Sequence, residues 1–279
     1  MMSPELRQRI LTALVLIPVV VWCVFFAEDS STFAAFAGAI VIVGAWEWTA
    51  LMGWQARAGR FAYALLVGGL LVAMAVLPAV YPLTAGWLPA LYMLSVGFWL
   101  VALRLVRGYP DNTGLWAHGA LLFPVGLILL LPAWLGLVSL HAASPWWLMY
   151  VFGLVWGADT GAYFAGRAFG RRKLAPAVSP GKTIEGLFGG LAVTALLAVV
   201  VAVYRDLAGI RLVAFLGLSL LTVLGSVLGD LFESMTKRHA GIKDSGTIFP
   251  GHGGALDRID SLTAAAPVFA LGWWLAGGF

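Results

Sequence analysis

Residues 184–232 read IEGLFGGLAVTALLAVVVAVYRDLAGIRLVAFLGLSLLTVLGSVLGDLF, two long apolar runs separated by a short charged link. About 20 apolar residues in an α-helix cross the roughly 30 Å hydrocarbon core of a bilayer. Comparable runs recur along the chain and predict nine membrane spans. They cover residues 10–27, 33–52, 61–80, 86–103, 119–138, 146–166, 184–204, 212–232 and 260–278. The sequence therefore predicts an all-α polytopic membrane protein with a single integral domain over residues 1–279.

The composition supports a membrane protein and excludes several functions. Hydrophobic residues make up 61% of the chain and charged residues 11%, whereas a soluble domain carries roughly 25% charged residues. Cys23 is the only cysteine, so neither an intrachain disulfide nor a thiolate metal site is expected. No basic soluble module is apparent, and we expect no nucleic-acid partner. The first apolar run lacks a cleavage site before Glu28 and is interpreted as a retained helix.

Basic residues are distributed very unevenly between alternate links. Fifteen of the 17 Lys and Arg residues fall on one predicted side, beginning with Arg7 and Arg9, and only Arg205 and Arg211 fall on the other. Because basic links stay in the cytoplasm, the N-terminus is predicted to be cytoplasmic and the C-terminus outside. Two cytoplasmic links, 167–183 and 233–259, are long and rich in charge, Gly and Pro, so we expect the active site there.

The link after the eighth span has a pattern suited to phosphate and metal chemistry. Residues 225–261 read GSVLGDLFESMTKRHAGIKDSGTIFPGHGGALDRIDS. Asp230 and Glu233 are three residues apart at a predicted helix end, and Asp257 and Asp260 repeat that spacing, so each pair shares a helix face. Mg²⁺ takes one or two carboxylates together with water and substrate phosphates. The candidate substrate-binding residues here are Lys237, Arg238, Lys243, Asp244, His252 and Arg258. The alternative is a solvated loop of mixed charge.

The link after the sixth span carries a second group of candidates. Asp159 lies inside a predicted span, where an acid is a functional candidate by default. Ser179-Pro-Gly-Lys-Thr183 lacks the upstream glycine and the strand of an NTPase phosphate loop. Thr183 can nevertheless cap the next helix and favour an anion beside Lys182. The alternatives are a helix-packing Asp159 and a Lys182 that extends to the membrane surface.

Three isolated polar residues are expected to have structural rather than catalytic roles. Glu47 lies between Trp46 and Trp48, and we interpret it as an acid near the cytoplasmic surface. His118 and His141 stand alone and are expected to face solvent. No Ser/His/Asp or Cys/His arrangement indicates a covalent nucleophile.

The run Ser234-x-x-Lys237-Arg238-x4-Lys243-Asp244, with Pro250-Gly-His-Gly-Gly254-x-x-Asp257-Arg258-x-Asp260, resembles the signature of phosphatidate cytidylyltransferases. Residues 6–13, Glu47-Trp48, 156–163 and 179–183 also resemble bacterial members. The resemblance implies that CTP and phosphatidate react to give CDP-diacylglycerol and pyrophosphate, at the bacterial inner membrane, in a homodimer. It implies Mg²⁺, with one or two cations left open. Asp230 and Asp257 would be the leading metal ligands, with Glu233 and Asp260 as possible further ligands. The phosphate groups of CTP and the lipid would be bound by Lys182, Lys237, Arg238 and Lys243, and the resemblance does not say which of these residues binds which substrate.

Three other classes of function fit the sequence less well. A secondary transporter predicts related halves and acids deep in several spans, but the charges here gather in two links. Another lipid-phosphate enzyme, such as a CTP-dependent lipid kinase or a CDP-alcohol phosphatidyltransferase, remains an alternative, although the D-G-x-x-A-R opening of the latter is absent. A membrane scaffold would not require these charged links.

Overall fold

A computed structural model of the chain describes residue 14 and residues 17–26, 30–76, 88–249 and 253–279. The first helix, α1, is described over residues 17–25. The others are α2 Ser30–Leu51, α3 Arg57–Val76, α4 Leu88–Arg107, α5 Gly119–Ala143, α6 Pro145–Phe169, α7 Ile184–Tyr204, α8 Gly209–His239 and α9 Leu256–Leu275. The antiparallel strands β1 Lys173–Ala175 and β2 Ser179–Thr183 form a hairpin between α6 and α7.

Six of the described helices are long and apolar enough to cross a membrane: α2, α3, α4, α5, α7 and α8. This confirms a helical membrane architecture. Helices α6 and α9, of 25 and 20 residues, are not among these six, and α9 begins with the charged residues Asp257, Arg258 and Asp260. The nine-span count and the location of the two termini remain predictions.

Helix α9 lies at the centre of the bundle and positions its charged first turns among the other helices. It packs most extensively against α8 and α5, and it also contacts α2, α4 and α6. Ala264, Ala265 and Ala266 are fully buried, and Gly136 of α5 lies directly against the Ala266 backbone. Small residues allow this close helix approach, as is common in membrane bundles.

The structure corrects the predicted borders of both charged links. The eighth helix continues past residue 232 to His239, so Asp230 and Glu233 lie inside a helix instead of at its end. The link between α8 and α9 is therefore shorter than the predicted 233–259. Helix α6 extends to Phe169, and the rest of the predicted link 167–183 contains the β-hairpin, which the sequence analysis did not predict.

The prediction that His141 faces solvent is wrong. Its ring is buried, stacks on Phe33 with centroids 4.4 Å apart, and its Nε2 lies 3.0 Å from the Val24 carbonyl oxygen. His118 is exposed, as predicted. The predictions for Arg7, Arg9, Glu28 and His252 fall outside the described residues.

Candidate active site

The hairpin places Lys182 against the helices. Thr183 is the N-cap of α7, and its hydroxyl accepts a 3.1 Å hydrogen bond from the Gly186 amide, which confirms the predicted cap. Thr183 pairs with Lys173 across the hairpin, and Ala175 pairs with Ser179. Lys182 therefore lies immediately before the N-cap residue of α7.

Lys182 bridges the hairpin and α8. Its Nζ donates a 2.5 Å hydrogen bond to Oδ2 of Asp230, and both side chains are more than two-thirds buried. The other oxygen of Asp230 accepts a 3.2 Å hydrogen bond from the Ser234 hydroxyl, one helical turn further on. Lys182 thus faces an acid inside the bundle, which contradicts the alternative of a lysine extended to the membrane surface.

Lys237 connects α8 to α9 through a second ionic group. Its Nζ lies 2.7 Å from Oε2 of Glu233 and 2.5 Å from Oδ1 of Asp257. The Lys237 side chain is only 10% exposed. The position of Glu233 four residues before Lys237 lets the pair form within one helix, and Asp257 adds the contact to the next helix.

Asp257 also holds the backbone of the link before α9. Its Oδ2 accepts hydrogen bonds from the Ser245 amide at 2.9 Å and the Gly254 amide at 2.8 Å. Gly253 has φ +79° and lies directly against the same carboxylate. A side chain at this position would be strained in its backbone and would collide with Asp257.

The two Lys–acid groups belong to one electrostatic cluster. Asp260 lies beside Glu233 and within electrostatic range of Asp230. Asp159 of α6 interacts electrostatically with Lys182, Asp230 and Arg258. The structure therefore brings eight of the predicted site residues together: Asp159, Lys182, Asp230, Glu233, Lys237, Asp257, Arg258 and Asp260.

The cluster contains more acidic than basic side chains, five against three. Among the described residues no group of three or more His, Cys, Asp or Glu side chains converges as a ready-made metal centre. However, Oε1 of Glu233 is buried and, among the described residues, receives no hydrogen bond from a basic side chain or a backbone amide; the carboxyl group of Asp260 lies beside Glu233. Surplus negative charge and a buried carboxylate oxygen without such a donor fit a divalent cation that takes few protein ligands.

A cavity of about 390 Å³ opens beside Lys182, between α6, α7, α8 and the hairpin. Its polar wall includes Asp159, Arg167 and Lys182, and its apolar wall includes Ala158, Val223 and Val227. Val223 and Val227 lie seven and three residues before Asp230 on α8, so they share its helix face. The cavity is therefore amphipathic and adjoins one of the two ionic groups.

The remaining predicted residues lie further from the cluster. Arg238, Lys243 and Asp244 are exposed, and Nη1 of Arg238 donates a 3.4 Å hydrogen bond to the Ile242 carbonyl. Ser179 is at the far end of β2 from Thr183. Within the described part of the chain, these side chains form no hydrogen bond or ion pair with the acids of the cluster.

Sequence reasoning missed two contributors to this site. Arg167 lines the cavity at the end of α6 and donates a 3.1 Å hydrogen bond to the Tyr163 hydroxyl. Its place in a Lys- and Arg-rich link could have indicated it. Glu47 of α2 is buried and contacts the link before α9. No local pattern could have indicated a contact with residues about 200 positions away.

Comparison with known proteins identifies the family of the chain. The profile of the cytidylyltransferase family matches residues 7–275. The chain is 50% identical to the phosphatidate cytidylyltransferase of Pseudomonas aeruginosa, over 98% of each chain. It is 43% identical to the protein of that name from Haemophilus influenzae, over 95% of this chain and 97% of the relative. The chain therefore belongs to the cytidylyltransferase family, as its resemblance to phosphatidate cytidylyltransferases predicted.

Proposed function

We propose that this protein transfers the CMP group of CTP to phosphatidate, giving CDP-diacylglycerol and pyrophosphate for phospholipid biosynthesis. The observation that carries the proposal is the amphipathic cavity of about 390 Å³ beside the Lys182–Asp230 pair. A lipid phosphate requires cationic groups for its head and an apolar wall for its tails. The names of the full-length relatives support the same reaction.

The reaction requires two polyanions to approach each other. An oxygen of the phosphatidate phosphate forms a bond to the α-phosphorus of CTP. The bond from that phosphorus to the oxygen bridging the β-phosphate breaks, and its electron pair leaves with pyrophosphate. A phosphate monoester is already largely dianionic near neutral pH, so catalysis depends on positioning and charge neutralisation.

Lys182 and Lys237 are the residues to which we assign this neutralisation. In the structure they form ion pairs with Asp230 and Asp257. Substrate phosphates compete for the same ammonium groups, and Arg238, Lys243 and Arg258 add positive charge on the open side. We assign the lipid phosphate to the Lys182 side, because the cavity that Lys182 lines also has the apolar wall of Val223 and Val227.

The acids of the cluster are suited to hold Mg²⁺, with Asp230 and Asp257 as leading ligands and Glu233 and Asp260 as supporters. When bound, the ion would neutralise phosphate charge and stabilise the leaving pyrophosphate. Both amide hydrogen bonds to Asp257 end on Oδ2, whereas Oδ1 faces Nζ of Lys237 at 2.5 Å, so a cation bound at Oδ1 would take the place of that ammonium group. The backbone thereby fixes the direction in which this carboxylate points.

The location of the site in the membrane is also part of the proposal. Lys182, just before α7, contacts α8, and the end of α8 contacts the start of α9, so these charged segments share one face of the bundle. We assign this face to the cytoplasm, where CTP is available, in a bacterial inner membrane crossed nine times. A homodimer is expected from the resemblance alone.

Replacing Lys182 by Ala should lower kcat/KM for phosphatidate about 10–100-fold and affect the KM for CTP less. The lost ammonium group no longer holds the lipid phosphate or neutralises Asp230. The measurement is initial-rate kinetics with each substrate varied in mixed micelles. Lys173→Ala, which removes an exposed lysine of the same hairpin, should behave as the wild type. Unchanged kinetics in Lys182→Ala would remove Lys182 from the site.

The reaction itself is tested by incubating the purified protein with CTP, phosphatidate and Mg²⁺. Labels on the α- and γ-phosphates identify the products. The proposal expects the α-label in the lipid and the γ-label in pyrophosphate, in equal amounts. A lipid that acquires the γ-label, with release of CDP, would indicate a lipid kinase and refute the proposal.

A further inference from the structure

Glu47 of α2 accepts three hydrogen bonds from residues 198 to 209 positions further along the chain. The Ser245 hydroxyl donates to Oε2 at 3.0 Å, the Leu256 amide to Oε2 at 2.8 Å, and the Ala255 amide to Oε1 at 3.1 Å. Glu47 is only 3% exposed. A buried carboxylate is costly unless it is hydrogen-bonded, and the three bonds here come from the link between α8 and α9 and from the first residue of α9.

Two of these bonds cap the first turn of α9. The residue at the N-cap position is Ala255, which has no side chain that could accept a capping hydrogen bond. The first amides of a helix lack partners within the helix, and a negative charge beside them is favourable. Glu47 therefore supplies from α2 the acceptors that the local sequence of α9 lacks.

Glu47 and Asp257 hold the same link from two sides. Ser245 donates its hydroxyl to Glu47 and its amide to Asp257. The Gly254 amide donates to Asp257, while the next amide, that of Ala255, donates to Glu47. A displacement of this link away from Glu47 must therefore disturb the hydrogen bonds that orient Asp257.

Two glycines enclose the Glu47 carboxylate. A Cβ atom at Gly246 or Gly254 would collide with its oxygens. The backbone of the link at these two glycines therefore lies directly against the Glu47 carboxylate. Such a close fit leaves little freedom for the link to move while Glu47 remains in place.

We infer that Glu47 is a positioning residue of the reaction: it fixes the link between α8 and α9 and thereby the direction of the Asp257 carboxylate. The inference rests on the proposed function, in which Asp257 is a cation ligand. Glu47 acts through Asp257 and the link, because its hydrogen-bond donors among the described residues are the three named above.

The test is Glu47→Gln, which keeps the shape of the side chain but directs an NH₂ group at N–H or O–H donors. We expect kcat to fall about 10–100-fold, as for other residues that orient a ligand, with the KM for each substrate changed less than about threefold. Hydrogen exchange should accelerate in peptides containing Ser245 and residues 254–256, and remain unchanged elsewhere.

Two further variants separate positioning from general stability. Ser219→Ala removes a buried 2.7 Å hydrogen bond to Tyr150 at another place in the bundle, and should leave kcat and the exchange of the link unchanged. Ser245→Ala breaks one of the three bonds to Glu47. The double variant Glu47→Gln/Ser245→Ala should lose little more than Glu47→Gln alone, because both changes act on one contact.

Two results would overturn the inference. One is a kcat of Glu47→Gln within about twofold of the wild type. The other is faster exchange throughout α2 and α5, which would show that Glu47 supports the fold in general. A wild-type protein that makes no CDP-diacylglycerol would refute the proposed function. Hydrogen exchange is measured without substrates, so it still tests whether Glu47 fixes the link between α8 and α9.

Discussion

Replacing Asp257 by Asn should reduce turnover at least about 100-fold while the protein remains folded in the membrane. The amide can still accept the backbone hydrogen bonds from Ser245 and Gly254 through its remaining oxygen. It loses the negative charge that faces Lys237 at 2.5 Å and that we assign to a cation. The expected defect is therefore chemical more than structural. Initial rates at saturating CTP and phosphatidate measure it.

The matched control is Asp111→Asn, which changes an exposed acid in the link between α4 and α5. It should retain wild-type turnover. Size-exclusion profiles and hydrogen exchange of α8 and α9 establish whether Asp257→Asn is folded. Near-normal turnover in a folded Asp257→Asn would remove Asp257 from the assigned role.

The second large effect is expected for Lys237→Met. This change leaves Glu233 and Asp257 facing each other without the ammonium group that joins them, and both side chains are at least nine-tenths buried. Removing one partner of a buried ion pair costs roughly 3–5 kcal/mol, because the remaining charge is uncompensated. We expect the unfolding midpoint in detergent to fall by about 10 °C, and activity to be lost at all temperatures.

Arg107→Met provides the comparison for Lys237→Met, because it removes an exposed basic residue at the end of α4. Its unfolding midpoint should match that of the wild type. If Lys237→Met were as stable as Arg107→Met, the two acids would be compensated by something other than Lys237. That result would contradict the ionic network described here.

The sequence predicted the membrane helices well because apolar length is a local property. The predicted span 184–204 coincides with α7, and 33–52 differs from α2 by three residues at most. The border of α8 was missed because charge was interpreted as the end of the helix. Glu233 and Lys237 are polar in sequence but pair with each other inside the bundle, so the helix continues through them.

The candidate site was predictable where its residues lie within one motif. The spacing of Asp257 and Asp260, the cap at Thr183 and the motif around Lys237 are all local. Contacts between distant segments were not predictable. Lys182 meets Asp230 across 48 positions and Glu47 meets Ser245 across 198, and no periodicity in the sequence specifies either pair.

The structure also changes how the basic residues are interpreted. Composition and spacing left each of them open to either substrate. The cavity beside Lys182 has an apolar wall on α8, whereas Arg238 and Lys243 are exposed at the end of that helix and after it. This difference in surroundings is the reason for assigning lipid to one side and nucleotide to the other.

The central claim is that Asp230 and Asp257, which belong to different helices, serve one cation-dependent phosphate site. Titration of the purified protein with Mn²⁺, followed by electron paramagnetic resonance, tests it without turnover. The account predicts saturable binding to the wild type, weakened at least about tenfold by Asp230→Asn and equally by Asp257→Asn. Wild-type Mn²⁺ affinity in either variant would contradict it, because the two carboxylates would then not act together.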